Sequence, residues 1–337
     1  MITAFLALVF IVILILGHEL GHFVVAKLSG MRVDEFGFGF PPRIWGKKKG
    51  DTTYSVNLFP FGGFVKIHGE DALEKEVSEE EKKGSFFFQP AYKKAAVLLA
   101  GVTMNFLIGW LALIAVFMVG IPQSVIVTGV IQNSPAHRAG IKTGDEIVGF
   151  TKAEDFVKYV SNNTSTSVAV KVFSGAKEET LNITPKDGRI GVYISEGGVP
   201  KEGLLSAAWN AIKAAVNIFG LIFYTLYKIF ANLFVGHFGV VNDVVGPVGI
   251  YNMLSFSDKM GAGYVLQLLA LISVNLAAVN LIPFPALDGG RILFLAIEKI
   301  SRKGINRKVE AAVNAIGFAL LFALIIAITI KDVINIH

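Results

Sequence analysis

The chain contains no cysteine. Disulfides are excluded, and any metal must be held by His, Asp or Glu. Charge is also scarce: Asp, Glu, Lys and Arg make up 17% of the 337 residues, against 53% hydrophobic residues and a mean hydropathy of +0.59. A soluble domain carries about a quarter charged residues. The deficit argues against an ordinary soluble protein and points to the lipid bilayer as surroundings. The formal charge of +5 is mild, and the only basic run longer than two residues is Lys47, Lys48 and Lys49. No nucleic-acid partner is expected; a basic membrane-facing side explains the balance better. The sequence also lacks an internal repeat, a low-complexity linker and the basic n-region of a cleaved signal peptide. Its first apolar stretch is therefore read as part of the folded protein.

Four stretches have the length and composition of membrane-spanning helices: 2–26, 94–120, 264–282 and 311–330. About 20 apolar residues cross a bilayer core. A fifth apolar stretch, 204–235, carries Lys213 and Lys228 and is ambiguous by hydropathy alone. Residues 27–92 are mixed, with Gly- and Pro-rich hairpin signals and an acidic patch between Glu70 and Glu81. Residues 122–200 change character: short runs rich in β-branched residues alternate with turn residues, as expected of a small β-rich domain. Lys and Arg cluster in the loops after the first span and before the last, which places both loops in the cytoplasm and the β-rich domain outside.

The first span contains His18-Glu19-Leu20-Gly21-His22. On a helix, residues i and i+4 share a face, so both imidazoles can bind one zinc ion. Glu19 stands beside them, placed to take a proton from water and pass it to a leaving amine. Zn2+ suits this chemistry because it lowers the pKa of bound water and polarises a carbonyl. The five-residue match alone is only moderate evidence. Its setting strengthens it, because ionisable groups inside an apolar span are costly and tend to be functional. Gly21 leaves room for a close neighbour.

A catalytic zinc needs a third protein ligand. Asp288 is the candidate, just past the span ending near Pro283, in Asn280-Leu-Ile-Pro-Phe-Pro-Ala-Leu-Asp288-Gly-Gly. The competing reading is an N-cap for a helix beginning near Arg291. Gly289 and Gly290 are expected to provide the sharp turn that lets the carboxylate reach the metal. If Asp288 is a ligand, it lies at the depth of His22, near the cytoplasmic side. That holds only if 204–235 does not cross the membrane, so this stretch is read as amphipathic helices at the outer surface.

These residues resemble the site-2 protease family of intramembrane zinc metalloproteases, in particular its bacterial RseP-like branch. The resemblance covers nearly the whole chain. HELGH and the Leu-Asp288-Gly-Gly sequence match its zinc motifs. Pro60-Phe-Gly-Gly-Phe-Val-Lys66 is similar to its membrane-associated hairpin motif, and Ala100-Gly-Val-Thr-Met-Asn105-Phe to its second-span motif, with Val102 where proline is usual. Gly246-Pro-Val-Gly-Ile250 is similar to a further motif. Ser134-Pro-Ala-His-Arg-Ala-Gly-Ile-Lys-Thr-Gly-Asp145 resembles the start of a PDZ domain.

The resemblance implies an α-helical polytopic membrane protein with four transmembrane helices, a membrane-associated β-hairpin region and one inserted extracytoplasmic PDZ-like domain. The corresponding divisions are a core at 1–120, a PDZ-like domain at 121–200, interfacial helices at 201–260 and a C-terminal core at 261–337. It implies residence in the bacterial inner membrane and cleavage of single-pass transmembrane proteins in regulated intramembrane proteolysis. Such substrates include anti-sigma factors and remnant signal peptides, with an upstream site-1 protease acting on the same substrate. It implies that Asn280, with Gly62 and Gly63 of the hairpin, holds the unwound substrate. The competing class is a PDZ-containing membrane scaffold or chaperone that does not cut; the presence of Glu19 speaks against it.

Other residues read more plainly. His68, His137, His237 and His337 have no partner at ligand spacing and are read as surface or interfacial. Asn105, in an apolar helix, has two open readings: a bond between helices or a role near the active site.

Overall fold

The computed structural model describes residues 2–70, 79–164, 166–174, 177–234 and 245–334. His237, His337 and most of the acidic patch lie outside them. The element order is α1 (Ile2–Leu28), β1 (Val33–Lys49), β2 (Thr52–Ile67), α2 (Glu79–Gly84), α3 (Ala91–Val119), β3 (Ile121–Val130), α4 (Pro135–Ala139), β4 (Glu146–Ile147), α5 (Ala153–Ser161), β5 (Val168–Ser174), β6 (Lys177–Ile183), β7 (Val192–Val199), α6 (Leu204–Phe234), α7 (Pro247–Met260), α8 (Ala262–Asn280), α9 (Asp288–Ser301) and α10 (Arg307–Ile334). The chain forms two compact units, one of Met1–Leu113, Ala211–Leu254 and Gln267–His337, the other of Ile114–Asn210 and Ser255–Leu266.

In the first unit, α1 packs on α3 through small residues. A Cβ on Gly21 would collide with the Ala100 carbonyl, and one on Gly17 with Ile108. Glycine here permits close helix approach, as in other apolar helix pairs. Helix α3 runs unbroken through Val102, so the span without the usual proline is one continuous helix. Gly30, at φ 80°, reverses the chain after α1.

The chain then forms β1 and β2, which fold back on themselves. The first part of β1 pairs on one side with the end of β2 (Phe36 opposite Val65, Phe38 opposite Gly63) and on the other with its start (Phe36 opposite Tyr54). The end of β2, residues 63–67, pairs on one side only among the described residues. Phe40, Ile44, Trp45, Leu58 and Phe59 are exposed on this sheet. Such an apolar surface suits contact with lipid.

Among the described residues, five helices are long and apolar enough to cross a membrane: Phe5–Leu28, Ala91–Val119, Leu204–Ile229, Ala262–Asn280 and Lys308–Ile334. The third of these is α6, a single helix of 31 residues over the stretch expected to form amphipathic helices at the outer surface. Its Phe219 stacks edge-on against Phe106 of α3 at 5.9 Å, so this part of α6 packs against a span.

Helix α10 links both ends of the C-terminal segment. Its Asn314 accepts the Ala286 N–H at 3.1 Å. Its Asp332 accepts the N–H groups of Gly246 and Gly249 at 3.0 and 2.9 Å, satisfying the first turn of α7. A side chain at Gly246 would displace Asp332, which gives the Gly-Pro-Val-Gly run a structural reason. Asn314 and Asp332 stand about 27 Å apart at 1.5 Å per helical residue. The start of α7 and the Ala286 turn are therefore separated by roughly a bilayer core.

The second unit is a five-stranded sheet in the order β6-β5-β4-β3-β7, with α4 and α5. Val125, Val127, Ile147, Phe156, Val170 and Ile183 form its centre. The Ser134-Pro135 pair starts α4: Ser134 Oγ accepts the His137 N–H at 3.2 Å, and Pro135 occupies the first turn. Gly140 at φ 92° ends it. The buried Asp145 carboxylate closes the next turn by accepting the Lys142 N–H at 2.8 Å.

Candidate metal centre

His18 and His22 lie one turn apart on α1, and α9 brings Asp288 to them. His18 Nε2 stands 3.1 Å from His22 Nε2 and 3.2 Å from Asp288 Oδ2, which is 3.4 Å from His22 Nε2. These three are the only group of candidate ligand atoms found close together among the described residues, all within 4.8 Å of one another.

The donor set fits zinc. Ligand bonds of about 2.1 Å in a tetrahedron place neighbouring donors about 3.4 Å apart, close to the three separations observed. His22 Nδ1 lies 2.7 Å from the Val97 carbonyl. It must donate there, which leaves the Nε2 lone pair free on the side of Asp288. Asp288 Oδ2 is buried and makes no hydrogen bond of good geometry, although both imidazoles are close. An orphaned buried carboxylate oxygen facing two imidazole nitrogens is what a cation would satisfy.

The turn that delivers Asp288 works differently from the expectation. Ala286, at φ 75°, takes the left-handed conformation, whereas neither Gly289 nor Gly290 has positive φ. Both glycines lie buried in the first turn of α9, where a Cβ would strike the carbonyls of Leu281 and Ile282 or that of Phe284. Their role is close packing against the chain that precedes them. Leu287 is the residue before the helix, and the Asp288 side chain is directed to the imidazoles, so it does not cap α9.

A cavity of about 260 Å³ contains His18, Glu19, His22 and Asp288, with Phe64, Val65, Ile67, Asn280 and Arg291 in its wall. Asn280, singled out from the sequence, is therefore beside the candidate ligands. Phe64, Val65 and Ile67 come from the 63–67 edge, which is unpaired on this side among the described residues. Of the two hairpin glycines, Gly63 lies against Glu19: a Cβ there would stand 3.2 Å from Glu19 Cγ. Gly62 instead faces Phe40, and neither glycine is among the residues that line the cavity.

Some neighbours of the site were not evident in the sequence. A Cβ on Gly101 would press on the rings of both His18 and His22. Spacing provides a signal here, since Val97, Gly101 and Asn105 recur every four residues on α3. Arg291, one turn past Asp288, pairs with Glu70 at the end of the hairpin. Burial works against the Arg291 charge, but the surrounding carboxylates, Glu70 foremost, outweigh it and raise the guanidinium pKa. This pair is also in the wall of a second cavity, with Lys94, Glu298 and Glu310. His68, by contrast, contacts Arg32 and Asp34 away from the metal candidates.

Comparison with known proteins points the same way. Residues 6–324 match the family described as Peptidase family M50. A Clostridium perfringens protein provisionally named a zinc metalloprotease is 36% identical over 329 residues, 95% of each chain. A Fusobacterium nucleatum protein with the same provisional description is 31% identical over 343 residues, 98% of each. The regulator of sigma-W protease RasP of Bacillus subtilis is 29% identical over 411 residues, 95% of each.

Proposed function

Because the chain belongs to Peptidase family M50 and is a zinc metalloprotease of the site-2 type embedded in the membrane, we propose that it cuts transmembrane segments of single-pass proteins at His18, Glu19, His22 and Asp288. The observation that carries this reading is the convergence of two imidazoles and one carboxylate from opposite ends of the chain in one cavity with Glu19.

His18, His22 and Asp288 would hold the zinc. The ion, when bound, supplies a lowered water pKa and a polarised scissile carbonyl. Glu19 takes the proton of the attacking water and delivers it to the leaving amine. Asn280 donates its amide to the substrate backbone. The 63–67 edge pairs with the substrate as an added strand. A transmembrane helix hides its carbonyls in its own hydrogen bonds and must be extended before attack. The free edge beside Glu19 supports that role. Gly63 has no side chain to keep the strand from the base.

Residues 121–200 act as a PDZ-like domain outside the inner membrane and screen substrates trimmed by an earlier cut. The capped turn at Ser134 and the five-stranded sheet support this reading. The catalytic cavity lies near the cytoplasmic side. Segment 204–246 follows the outside domain and ends outside; the roughly 27 Å between the Asn314 and Asp332 contacts supports the position of its end. Anti-sigma factors and remnant signal peptides are the substrate class; the relative from Bacillus subtilis is named for regulating sigma-W.

The test is direct. Purified in detergent, the wild type is expected to carry about one zinc per chain and to cut a model transmembrane substrate. Glu19→Gln should keep the zinc and lose the cleavage. A zinc-free wild type, or undiminished cleavage by the variant, would sink the proposal.

A further inference from the structure

The imidazoles are held from the α3 side, and only one of the two holders is accounted for. His22 Nδ1 donates to the Val97 carbonyl at 2.7 Å. His18 Nδ1 faces the side chain of Asn105, two turns further along α3, with Asn105 Nδ2 at 3.4 Å. Asn105 is 1% exposed, and its Oδ1 is buried without a partner.

Two facing nitrogens make a hydrogen bond only if His18 Nδ1 has no proton. In a neutral imidazole the proton would then sit on Nε2, the atom that faces His22 and Asp288. That tautomer cannot offer Nε2 to a metal. The contradiction disappears if the amide is turned by half a revolution, which exchanges its oxygen and nitrogen at nearly the same shape. Oδ1 then accepts from His18 Nδ1–H, and the Nε2 lone pair is freed. The NH2 group moves to a position that offered Oδ1 no donor.

The surroundings hold Asn105 in place. Its backbone carbonyl accepts Ser273 Oγ from α8 at 2.7 Å, and Ser273 is fully buried. The bond between these helices therefore uses the Asn105 main chain and leaves the amide free for His18. Gly101, midway between Val97 and Asn105, has no side chain where the two rings lie against α3.

We propose that Asn105 is a positioning residue: its side-chain oxygen accepts the His18 Nδ1 hydrogen, fixing the tautomer and ring orientation that present Nε2 to zinc. Val97, Gly101 and Asn105 form one stripe of α3 that seats both imidazoles. This rests on the proposed zinc site. A metal-bound imidazole is oriented by the partner of its other nitrogen, and losing that partner typically weakens metal binding by about 10- to 100-fold.

The experiment compares zinc retention under chelator competition in wild type, Asn105→Leu and Asn105→Asp, all full-length in detergent. Asn105→Leu keeps the forked shape and removes the acceptor; Asn105→Asp restores one. The expected result is a loss of zinc affinity of about 10- to 100-fold for Asn105→Leu and substantial recovery for Asn105→Asp. A folded Asn105→Leu protein that binds zinc as tightly as wild type overturns the assignment. A packing role alone would not distinguish the two variants by zinc affinity. If Asn105→Leu does not fold, nitrogen-15 NMR of histidine-labelled, zinc-loaded wild type decides: His18 should carry its proton on Nδ1. An unprotonated or metal-bound Nδ1 overturns the proposal. Wild type that takes up no zinc, or Asp288→Ala that keeps it unchanged, would refute the metal site itself. Tight binding by both wild type and Asn105→Leu would refute only the role of Asn105.

Discussion

Replacing Gly101 by alanine adds one methyl group where the structure has no space for it. The new Cβ would lie 2.6 Å from His18 Cε1 and 2.7 Å from His22 Cε1, with His22 Nε2 also in contact. Carbon atoms pack at about 3.5 Å or more, so the rings or α3 must move by about 1 Å. Overpacking of this kind costs about 1–3 kcal/mol in stability. The larger effect should fall on the metal site, because displacement of about 1 Å at reacting groups can cost about 100-fold in rate. Gly101→Ala should therefore fold, lose zinc more readily to a chelator, and cut a transmembrane substrate at about 1% of the wild-type rate. Gly220→Ala is the control: it also lies in an apolar helix, but an added Cβ meets nothing within 4 Å. It should leave zinc and cleavage unchanged. Wild-type zinc affinity and activity in Gly101→Ala would refute the reasoning, since the proposed stripe on α3 requires an empty position there.

Other outcomes follow from the same geometry. Asp288→Ala should abolish stoichiometric zinc, measured by elemental analysis; retention would mean that the carboxylate is not a ligand. Asp332→Ala removes the acceptor of two N–H groups at the start of α7 and should lower stability by about 1–3 kcal/mol without changing zinc content; an unchanged melting temperature would refute it. Arg291→Met leaves the Glu70 carboxylate unpaired while 15% exposed, and should destabilise by a similar amount of about 1–3 kcal/mol, with Glu70→Gln in the same chain recovering part of it. No recovery in the double variant would argue against their coupling. Because the chain has no cysteine, single cysteines at Lys201, Tyr251 and Lys303 can report sidedness. The first two should label from outside and the third from the cytoplasm; labelling of Lys201 and Tyr251 from opposite sides would refute the even crossing of 204–246.

Much of the fold was legible where the signal is local. The apolar stretches around His18, Asn105, Ser273 and Ile325 each became one long helix, because length and hydropathy need no partner to be read. Short β-branched runs between Val125 and Ile194 are legible as strands from their composition and turn residues, whereas their pairing in the order β6-β5-β4-β3-β7 is tertiary. The segment 204–235 was harder, because length and composition do not separate a helix that crosses a bilayer from one that lies on it. The stacking of Phe219 on Phe106 is a tertiary fact. The Gly289-Gly290 pair misled in another way. Glycine serves both sharp turns and close packing, and only the neighbouring carbonyls of Leu281, Ile282 and Phe284 show which use applies.

For the site, the sequence alone determined that His18 and His22 share a helix face with Glu19 beside them, because helical spacing dictates it. The lack of cysteine narrowed the third donor to His, Asp or Glu, and the span before Asp288 made that residue the candidate. What the tertiary structure decided is how the imidazoles are held. Val97 offers a carbonyl, Gly101 a gap and Asn105 an amide only because α1 packs on this face of α3. Likewise, Gly63 stands beside Glu19 only because the hairpin folds back against α1. Spacing along one helix is fixed by its own backbone. The neighbour that fills a glycine gap or accepts a ring N–H depends on contacts between segments far apart in the chain.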